Sequence, residues 1–277
     1  MENEKRKQLS NTATQARMLI LDAVHTAKSG HPGGSLSIVD ALTELYFDVM
    51  RVDPADSKNP DRDRFVMSKG HCSPALYAVL ALRGFFPQSD MKKFRSIHHH
   101  MSGHVEMHYI NGVDMSTGSL GQGLSAAVGM AIAGKLDGKD YRVYAAMGDG
   151  EIAEGQIWEA AMAAAHYKLD NLCGMVDVNG LQIDGPTEKV MSSSPLDEKF
   201  RSFGWHVIHV DGHDFESLSA AFAEAAATTG RPTMLLLHTV KGKGVSFMEN
   251  QVGWPGKAPN AAEYEQAISE LTARMEA

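Results

Sequence analysis

Two apolar runs separated by an alanine-rich run constrain the fold more than any other part of this chain. Residues 143–147 and 172–178 predict buried strands, and the run through Trp158 and Ala161 predicts a helix between them. A strand, a helix and a second strand in this order predict two neighbouring parallel strands. A right-handed crossover would join them.

Polar residues follow both of these strands. Gly148, Asp149 and Gly150 come directly after the first strand, and Asn179 and Leu181 follow the second. Open α/β sheets bind ligands at the carboxyl ends of their strands. A carboxylate, an amide oxygen and the Leu181 carbonyl suit a hard cation such as Mg²⁺, and the glycines allow a phosphate to approach the backbone. Gly-Asp-Gly alone is typical of a tight turn, but the asparagine after a second strand favours a cation–diphosphate site.

Strands and helices alternate along the rest of the chain. This pattern predicts an α/β fold with a doubly wound, mainly parallel sheet and helices on both faces. We expect one domain over residues 1–277, in which a turn-rich tail begins at about residue 239 and leads into a C-terminal helix. The predicted helices are 9–28, 38–49, 74–82, 124–136, 195–203, 215–228 and 261–275, and the other strands are 64–67, 205–210 and 233–237.

Composition narrows the class of protein. A net charge of −8 and the absence of a lysine and arginine stripe argue against nucleic acid as a partner. Cys72 and Cys173 fall in apparent core elements, which predicts a reducing compartment and no disulfide framework. Neither a signal peptide nor a membrane span is visible, so we expect a cytoplasmic protein without a membrane partner.

Several further motifs have both a functional and a structural interpretation. The turn from Gly118 to Gly123 precedes a helix, so it predicts either an anion site or a cap that permits close packing. His31 and His71 each follow a glycine in a turn, where a histidine can move protons or serve the structure. Lys241 could meet a phosphate or be a solvated loop charge. The run from His98 to His100 does not predict a metal site, because adjacent side chains point in different directions.

Together these segments resemble the amino-terminal, diphosphate-binding half of the transketolases, a thiamine-diphosphate family. The resemblance covers about residues 10 to 259 and depends on the order and spacing of all the segments. They are Ser-Gly-His31-Pro-Gly, Lys-Gly-His71, Ser-Gly-His104, Ser-Thr-Gly118-Ser-Leu-Gly-Gln-Gly, Gly-Asp149-Gly through Glu154-Gly, Leu-Asp-Asn-Leu172 and Asn179.

The resemblance implies roles for individual residues. Asp149, Asn179 and the Leu181 carbonyl would hold Mg²⁺, or Ca²⁺ or Mn²⁺ in its place. The residues implied to contact thiamine diphosphate are His71, Gly118, Ser119, Leu120, Gly148, Gly150, Asn179 and Lys241. His31, His71 and His104 would face the substrate and shuttle protons. Glu154 would belong to an acidic link between paired active sites, although a carboxylate at a helix N-terminus is also favourable by itself.

The chain departs from the family pattern in two places. It ends where a transketolase continues into a second domain, which supplies the glutamate that activates the cofactor and much of the sugar-phosphate grip. We therefore expect a split enzyme, in which a second subunit carries the pyrimidine-binding and C-terminal domains and the assembly is α2β2; a truncated chain is the alternative. The family's Trp-His-Gly-Lys segment here contains Pro255, which can neither donate nor exchange a proton.

The implied activity is transfer of a two-carbon ketol unit from a ketose or its phosphate to an aldose or its phosphate. One alternative is another thiamine-diphosphate reaction, such as the condensation catalysed by deoxyxylulose-phosphate synthases. The other is a subunit that holds the cofactor and has lost catalysis, for which Pro255 is the sole support.

Overall fold

A five-stranded parallel sheet forms the centre of the computed structural model, which describes residues 1–254 and 256–275. The strands are β1 (Arg64–Met67), β2 (Val143–Gly148), β3 (Leu172–Val178), β6 (His206–Asp211) and β7 (Thr233–His238). They lie side by side in the order β1-β2-β3-β7-β6, and every neighbouring pair is parallel. A small antiparallel hairpin joins β4 (Leu181–Gln182) to β5 (Gly185–Pro186).

Helices fill the connections, because parallel neighbours require long crossovers. They are α1 (Asn3–Ala27), α2 (Pro32–Glu44), α3 (Ser73–Arg83), α4 (Gln122–Leu136), α5 (Gly155–His166), α6 (Thr187–Val190), α7 (Leu196–Ser202), α8 (Phe215–Ala227) and α9 (Ala261–Thr272). Shorter 3₁₀ turns cover Pro54–Asp56, Gly70–Cys72, Gln88–Lys93 and Glu151–Ala153, and a π-helical turn covers Leu45–Val49. No helix in the described part of the chain is both long and apolar enough to cross a membrane.

Both faces of the sheet are buried, which confirms the predicted doubly wound fold. Along β2, Tyr144 and Ala146 pack into the core that contains α1, α2, α3 and α8. Val143, Ala145 and Met147 point the other way, into the core formed with α4, α5 and α7. Successive side chains of a strand alternate between faces, so a strand covered on both sides is apolar throughout.

The register between β2 and β3 positions the candidate site at the carboxyl edge of the sheet. In the β2–β3 pair, Gly148 lies opposite Asp177, so the two strands end at nearly the same level. Asp149 and Asn179 therefore meet at one edge of the sheet, as the strand–helix–strand pattern predicts.

Three local expectations differ from the structure. The helix predicted over 38–49 begins earlier, at Pro32. The first helix begins at Asn3 rather than near residue 9, because the charged residues before Leu9 extend the helix into solvent. Residues 182–194, for which the sequence predicts neither a helix nor a strand, include Gln182 of β4, the whole of β5 and the single turn α6. The Thr187 amide donates to the Gly180 carbonyl at 2.9 Å, which closes this segment back onto the end of β3.

Candidate active site

Asp149 stands at the first residue after β2 and is 4% exposed. Its Oδ1 accepts the Gly150 amide at 2.9 Å, and its Oδ2 accepts the Gly180 amide at 2.6 Å. Gly180 has φ +75°, a left-handed conformation that glycine adopts without a steric penalty and that turns this amide towards the carboxylate. Burial, followed by the nearby Asp177 carboxylate, raises the pKa of Asp149 to about 6. A buried carboxylate with a raised pKa is the kind of group that a bound cation stabilises.

Asn179 and Leu181 supply the two other expected oxygen donors. The Asn179 amide nitrogen donates to Asp177 at 3.0 Å, which fixes which end of the side chain is oxygen. The Asn179 Oδ1 accepts the Leu181 amide at 3.2 Å, and a carbonyl-type oxygen has a second lone pair for a metal. The Leu181 carbonyl accepts the Lys241 ammonium at 3.1 Å. In the described ranges, no three His, Cys, Asp or Glu side chains group as a metal site, so a cation here would depend on mixed oxygen ligands.

A buried ion pair beneath the site was not anticipated from the sequence. Asp177 is 0% exposed and Lys69 is 2% exposed, and the two side chains are in direct contact. Asp177 also accepts the Ser37 hydroxyl at 2.5 Å and the Thr239 hydroxyl. Burial alone would raise the pKa of Asp177, but Lys69 and these hydroxyls bring it below its usual value. The signal was present in the sequence as a charged residue inside an apolar strand.

Glu151 is another residue that the sequence interpretation missed. It is 3% exposed and accepts the Ser68 hydroxyl, the Gly121 amide at 2.9 Å and the Gly148 amide at 3.0 Å. This carboxylate ties β1, β2 and the start of α4 together at the carboxyl edge of the sheet. Burial raises its pKa.

Three histidines come together above these groups, although they are distant in sequence. The ring centroids of His31 and His71 are 5.4 Å apart, and those of His31 and His104 are 6.3 Å apart. Burial lowers the pKa of His71 to about 4, with Lys69 acting in the same direction. Burial, then His71 and Arg95, lowers the pKa of His104. At neutral pH His71 is therefore neutral, and each ring nitrogen without a proton can accept one.

A cavity of about 370 Å³ collects most of the expected residues. Its lining includes the predicted residues His31, His71, His104, Gly118, Leu120, Gly148, Asp149, Gly150, Asn179, Leu181 and Lys241. Ser119 and Glu154 are exposed and lie outside this lining. Burial lowers the pKa of Lys241, whose side chain is 6% exposed and is therefore not the solvated loop charge that was the alternative.

The turn before α4 packs tightly against its surroundings. A Cβ on Gly118 would lie 3.3 Å from the His104 ring, and one on Gly121 would lie 2.8 Å from Glu154 Cβ. The Gly121 amide is already bonded to Glu151, so this amide serves the packing interpretation of the motif. Gly118 keeps its backbone at the cavity wall, and an anion-binding role for that part of the turn stays a prediction.

The residues on either side of Pro255 lie near His31 and Gly33. Pro255 itself lies outside the described residues. A Cβ on Gly256 would be 3.6 Å from His31 Cε1, and one on Gly33 would be 3.0 Å from the Trp254 carbonyl. Trp254 and Gly256 therefore lie on the side of the cavity that His31 lines.

This fold and site define an α/β cofactor-binding domain, with oxygen donors at the carboxyl ends of adjacent parallel strands. Residues 8–274 match the family model described as transketolase, thiamine diphosphate binding domain, and the chain belongs to that family.

Relatives and solved structures agree with this assignment. The chain is 46% identical to an apulose-4-phosphate transketolase subunit of Phocaeicola vulgatus, over 94% of this chain and 92% of that protein. It is 44% identical to a 6-deoxy-6-sulfo-D-fructose transketolase subunit of a Clostridium species, over 97% of this chain and 98% of that protein. The transketolase structure from Campylobacter jejuni superimposes with a TM-score of 0.91 at 31% identity, covering 98% of this chain and 43% of that one.

These comparisons confirm the predicted family, the predicted fold class and the expectation of a transketolase subunit. They favour neither the synthase-like condensation nor the non-catalytic subunit over that interpretation. The roles of the individual site residues stay predictions.

Proposed function

We propose that this chain is the cofactor-binding subunit of a two-chain transketolase that moves a two-carbon ketol unit from a ketose to an aldose. The observation that carries the proposal is a single cavity in which Asp149, Asn179 and the Leu181 carbonyl lie together with three imidazoles. The oxygen groups suit a divalent cation, and the imidazoles suit proton transfer on sugar hydroxyls.

The residues present fit thiamine diphosphate and Mg²⁺. One carboxylate, one amide oxygen and one backbone carbonyl are hard ligands, which leave room for phosphate oxygens and water. Lys241 is a buried ammonium at the same wall, with its Nζ 3.1 Å from the Leu181 carbonyl, and could neutralise diphosphate charge. When bound, thiamine diphosphate supplies the carbanion and the electron sink that ketol transfer requires.

The histidines supply the proton chemistry. His71 is neutral because burial lowers its pKa to about 4, and the pKa of His104 is also lowered. Neutral imidazoles accept protons from substrate hydroxyls and return them as the carbon–carbon bond breaks and forms. Their grouping around His31 lets adjacent hydroxyls of one sugar each meet a different ring.

A second subunit would close the cavity. The relatives that match along nearly their whole length are named as transketolase subunits. Leu120 and Ile183 line the cavity, yet they are 36% and 71% exposed. Apolar side chains at the rim of an open site favour a partner surface there. We propose an α2β2 assembly in which the exposed Glu154 takes part in coupling between active sites.

The substrate is proposed by class. The two relatives act, by name, on a ketose phosphate and on a ketose sulfonate, so we propose a ketose with an anionic far end as the donor. We propose a role in carbohydrate metabolism and a cytoplasmic location. Cys72 and Cys173 are free and buried, in keeping with a reducing compartment.

The test mixes this chain with its partner subunit. Thiamine-diphosphate binding is measured by calorimetry in the presence of Mg²⁺, and ketol transfer is then assayed with ketose phosphates, a ketose sulfonate and pyruvate as donors. We expect tight binding and ketol transfer in the mixture, with no reaction from pyruvate. Pyruvate turnover would instead identify the synthase-like reaction, and binding without turnover on any donor would identify a non-catalytic subunit. Full activity of this chain alone would refute the two-chain proposal.

A further inference from the structure

Arg17, Asp40 and His213 form a hydrogen-bonded relay beside the Lys241 segment, outside the lining of the candidate active-site cavity. His213, in the loop between β6 and α8, has its Nδ1 2.7 Å from Asp40 Oδ2, and its Nε2 accepts the Val240 amide at 2.8 Å. A backbone amide can only donate, so Nε2 must carry a lone pair and the ring proton lies on Nδ1, facing Asp40. The hydrogen-bond partners thereby fix the ring's orientation and tautomer.

Arg17 completes the relay from the neighbouring helix α1. Its two terminal nitrogens donate to the two oxygens of Asp40, at 2.9 and 2.6 Å. Its Nε donates to the Lys243 carbonyl at 3.1 Å. Arg17 and Asp40 are 6% and 4% exposed, and burying charges is costly unless they are fully paired.

The relay forms hydrogen bonds with the backbone on both sides of Lys241. His213 holds the amide of Val240, one residue before it, and Arg17 holds the carbonyl of Lys243, two residues after it. The Lys241 side chain reaches the Leu181 carbonyl in the cavity wall, with its Nζ 3.1 Å from that oxygen. Groups outside the lining of the candidate active-site cavity thus fix the backbone from which this lysine extends, as outer partners orient the ligands of metal sites.

We infer that Arg17, Asp40 and His213 form a clamp that positions Lys241 towards the cofactor diphosphate. The inference rests on the proposed function, which assigns Lys241 to that anion. His213 is a positioning residue, because it acts through the Val240 backbone and does not itself reach the cavity.

The first readout needs no cofactor. Hydrogen–deuterium exchange of the Val240 amide is measured in the intact chain and in His213→Ala. Loss of the acceptor is expected to speed exchange by about 2- to 10-fold, the equivalent of one hydrogen bond. The matched control is His206→Ala, which removes a histidine from the exposed pair with Glu224 and should leave this amide unchanged.

The second readout is thiamine-diphosphate affinity of the chain assembled with its partner subunit. His213→Ala is expected to weaken binding by about 2- to 10-fold while kcat at saturating cofactor stays within about twofold. His213→Gln retains an acceptor and a donor and should recover part of the affinity. If His213→Ala does not fold, His213→Leu removes the same acceptor while filling the volume of the ring and replaces it in the comparison, with circular dichroism as the check of folding.

A double-mutant cycle decides whether the clamp acts through Lys241. In a Lys241→Ala background, His213→Ala is expected to change the affinity by less than about twofold, because the positioned group is gone. Equal losses in both backgrounds would overturn the inference and leave the proposed function standing. Faster exchange with unchanged affinity would also overturn it. If Lys241→Ala alone leaves the affinity unchanged, the assignment of Lys241 in the proposed function fails, and the clamp fails with it.

Discussion

Lys69→Met tests how far the site depends on its buried ion pair. Lys69 and Asp177 are 2% and 0% exposed, and both are charged at neutral pH because each holds the other's pKa on the charged side. Methionine is close to lysine in length, so the substitution removes the charge with little change in volume. The Asp177 carboxylate is then left in the core without its cation.

The magnitude follows from what Asp177 retains. Breaking a buried ion pair typically costs about 3 to 5 kcal/mol, since the remaining charge is uncompensated. Asp177 keeps the Ser37 and Thr239 hydroxyls and the Asn179 amide as donors. We therefore expect the lower end, a loss of about 3 kcal/mol in the free energy of unfolding, which corresponds to about 6 to 10 °C in Tm.

Urea unfolding at pH 7, followed by tryptophan fluorescence, measures this loss. Lys139→Met is the matched control, because Lys139 pairs with Asp61 on the surface and its replacement should change the free energy of unfolding far less than Lys69→Met does. Adding Asp177→Asn to Lys69→Met removes the stranded charge and should recover about 1 to 2 kcal/mol. A Lys69→Met loss no larger than the Lys139→Met loss, or no recovery in the double variant, would refute the assignment of this pair as a buried charge pair.

Four other perturbations have outcomes that the same structure predicts. Because the pKa of Asp149 is about 6, Mg²⁺ affinity of the assembled enzyme should fall about tenfold per pH unit below that value, and Asp149→Asn should bind weakly at every pH. His104→Asn should lower kcat by about 100-fold and leave thiamine-diphosphate affinity unchanged, since a general acid–base group is lost. Ile183→Glu should weaken association with the partner subunit by about tenfold, measured by analytical ultracentrifugation. Burial raises the pKa of Glu44 to about 7, from 4.5 in the unfolded chain. The protonated Glu44 therefore contributes its full stability below pH 4.5, and this contribution is lost as the pH rises through 7. Glu44→Gln should remove up to about 3 kcal/mol of this pH dependence from the free energy of unfolding.

Each of these variants has a control or an opposing outcome. A pH-independent Mg²⁺ affinity would argue against Asp149 as a ligand. His166→Asn, on an exposed turn at the end of α5, should keep full activity. Leu136→Glu carries the same charge to an exposed residue, 81% accessible, at the far end of α4 and should leave partner affinity intact. Identical pH profiles of unfolding for Glu44→Gln and the unmodified chain would show that Glu44 does not titrate as proposed.

The strand–helix–strand pattern predicted the sheet because its signal is local. A strand buried on both faces is mostly apolar, and β2 and β3 meet this requirement in a few consecutive residues, with Asp177 of β3 as the exception. The same rule gave no role to Asp177, because a single charged residue in an apolar run has no evident function until the cation that pairs with it is located. Lys69 comes from the end of β1, more than a hundred residues earlier, and nothing near Asp177 in the sequence marks it as the partner.

The sequence by itself determined the parallel order of β2 and β3, the presence of Asp149 and Asn179 at their carboxyl ends, and the family. These features depend on periodicity, turn chemistry and motif spacing, which neighbouring residues encode. Only the tertiary structure decided that His31, His71 and His104 face one cavity, that Glu151 is bonded within the fold, and that His213 holds the segment carrying Lys241. Such contacts join elements distant in the chain, and burial then sets the pKa of each group. The local sequence specifies neither the distances between these groups nor the extent to which each group is removed from water.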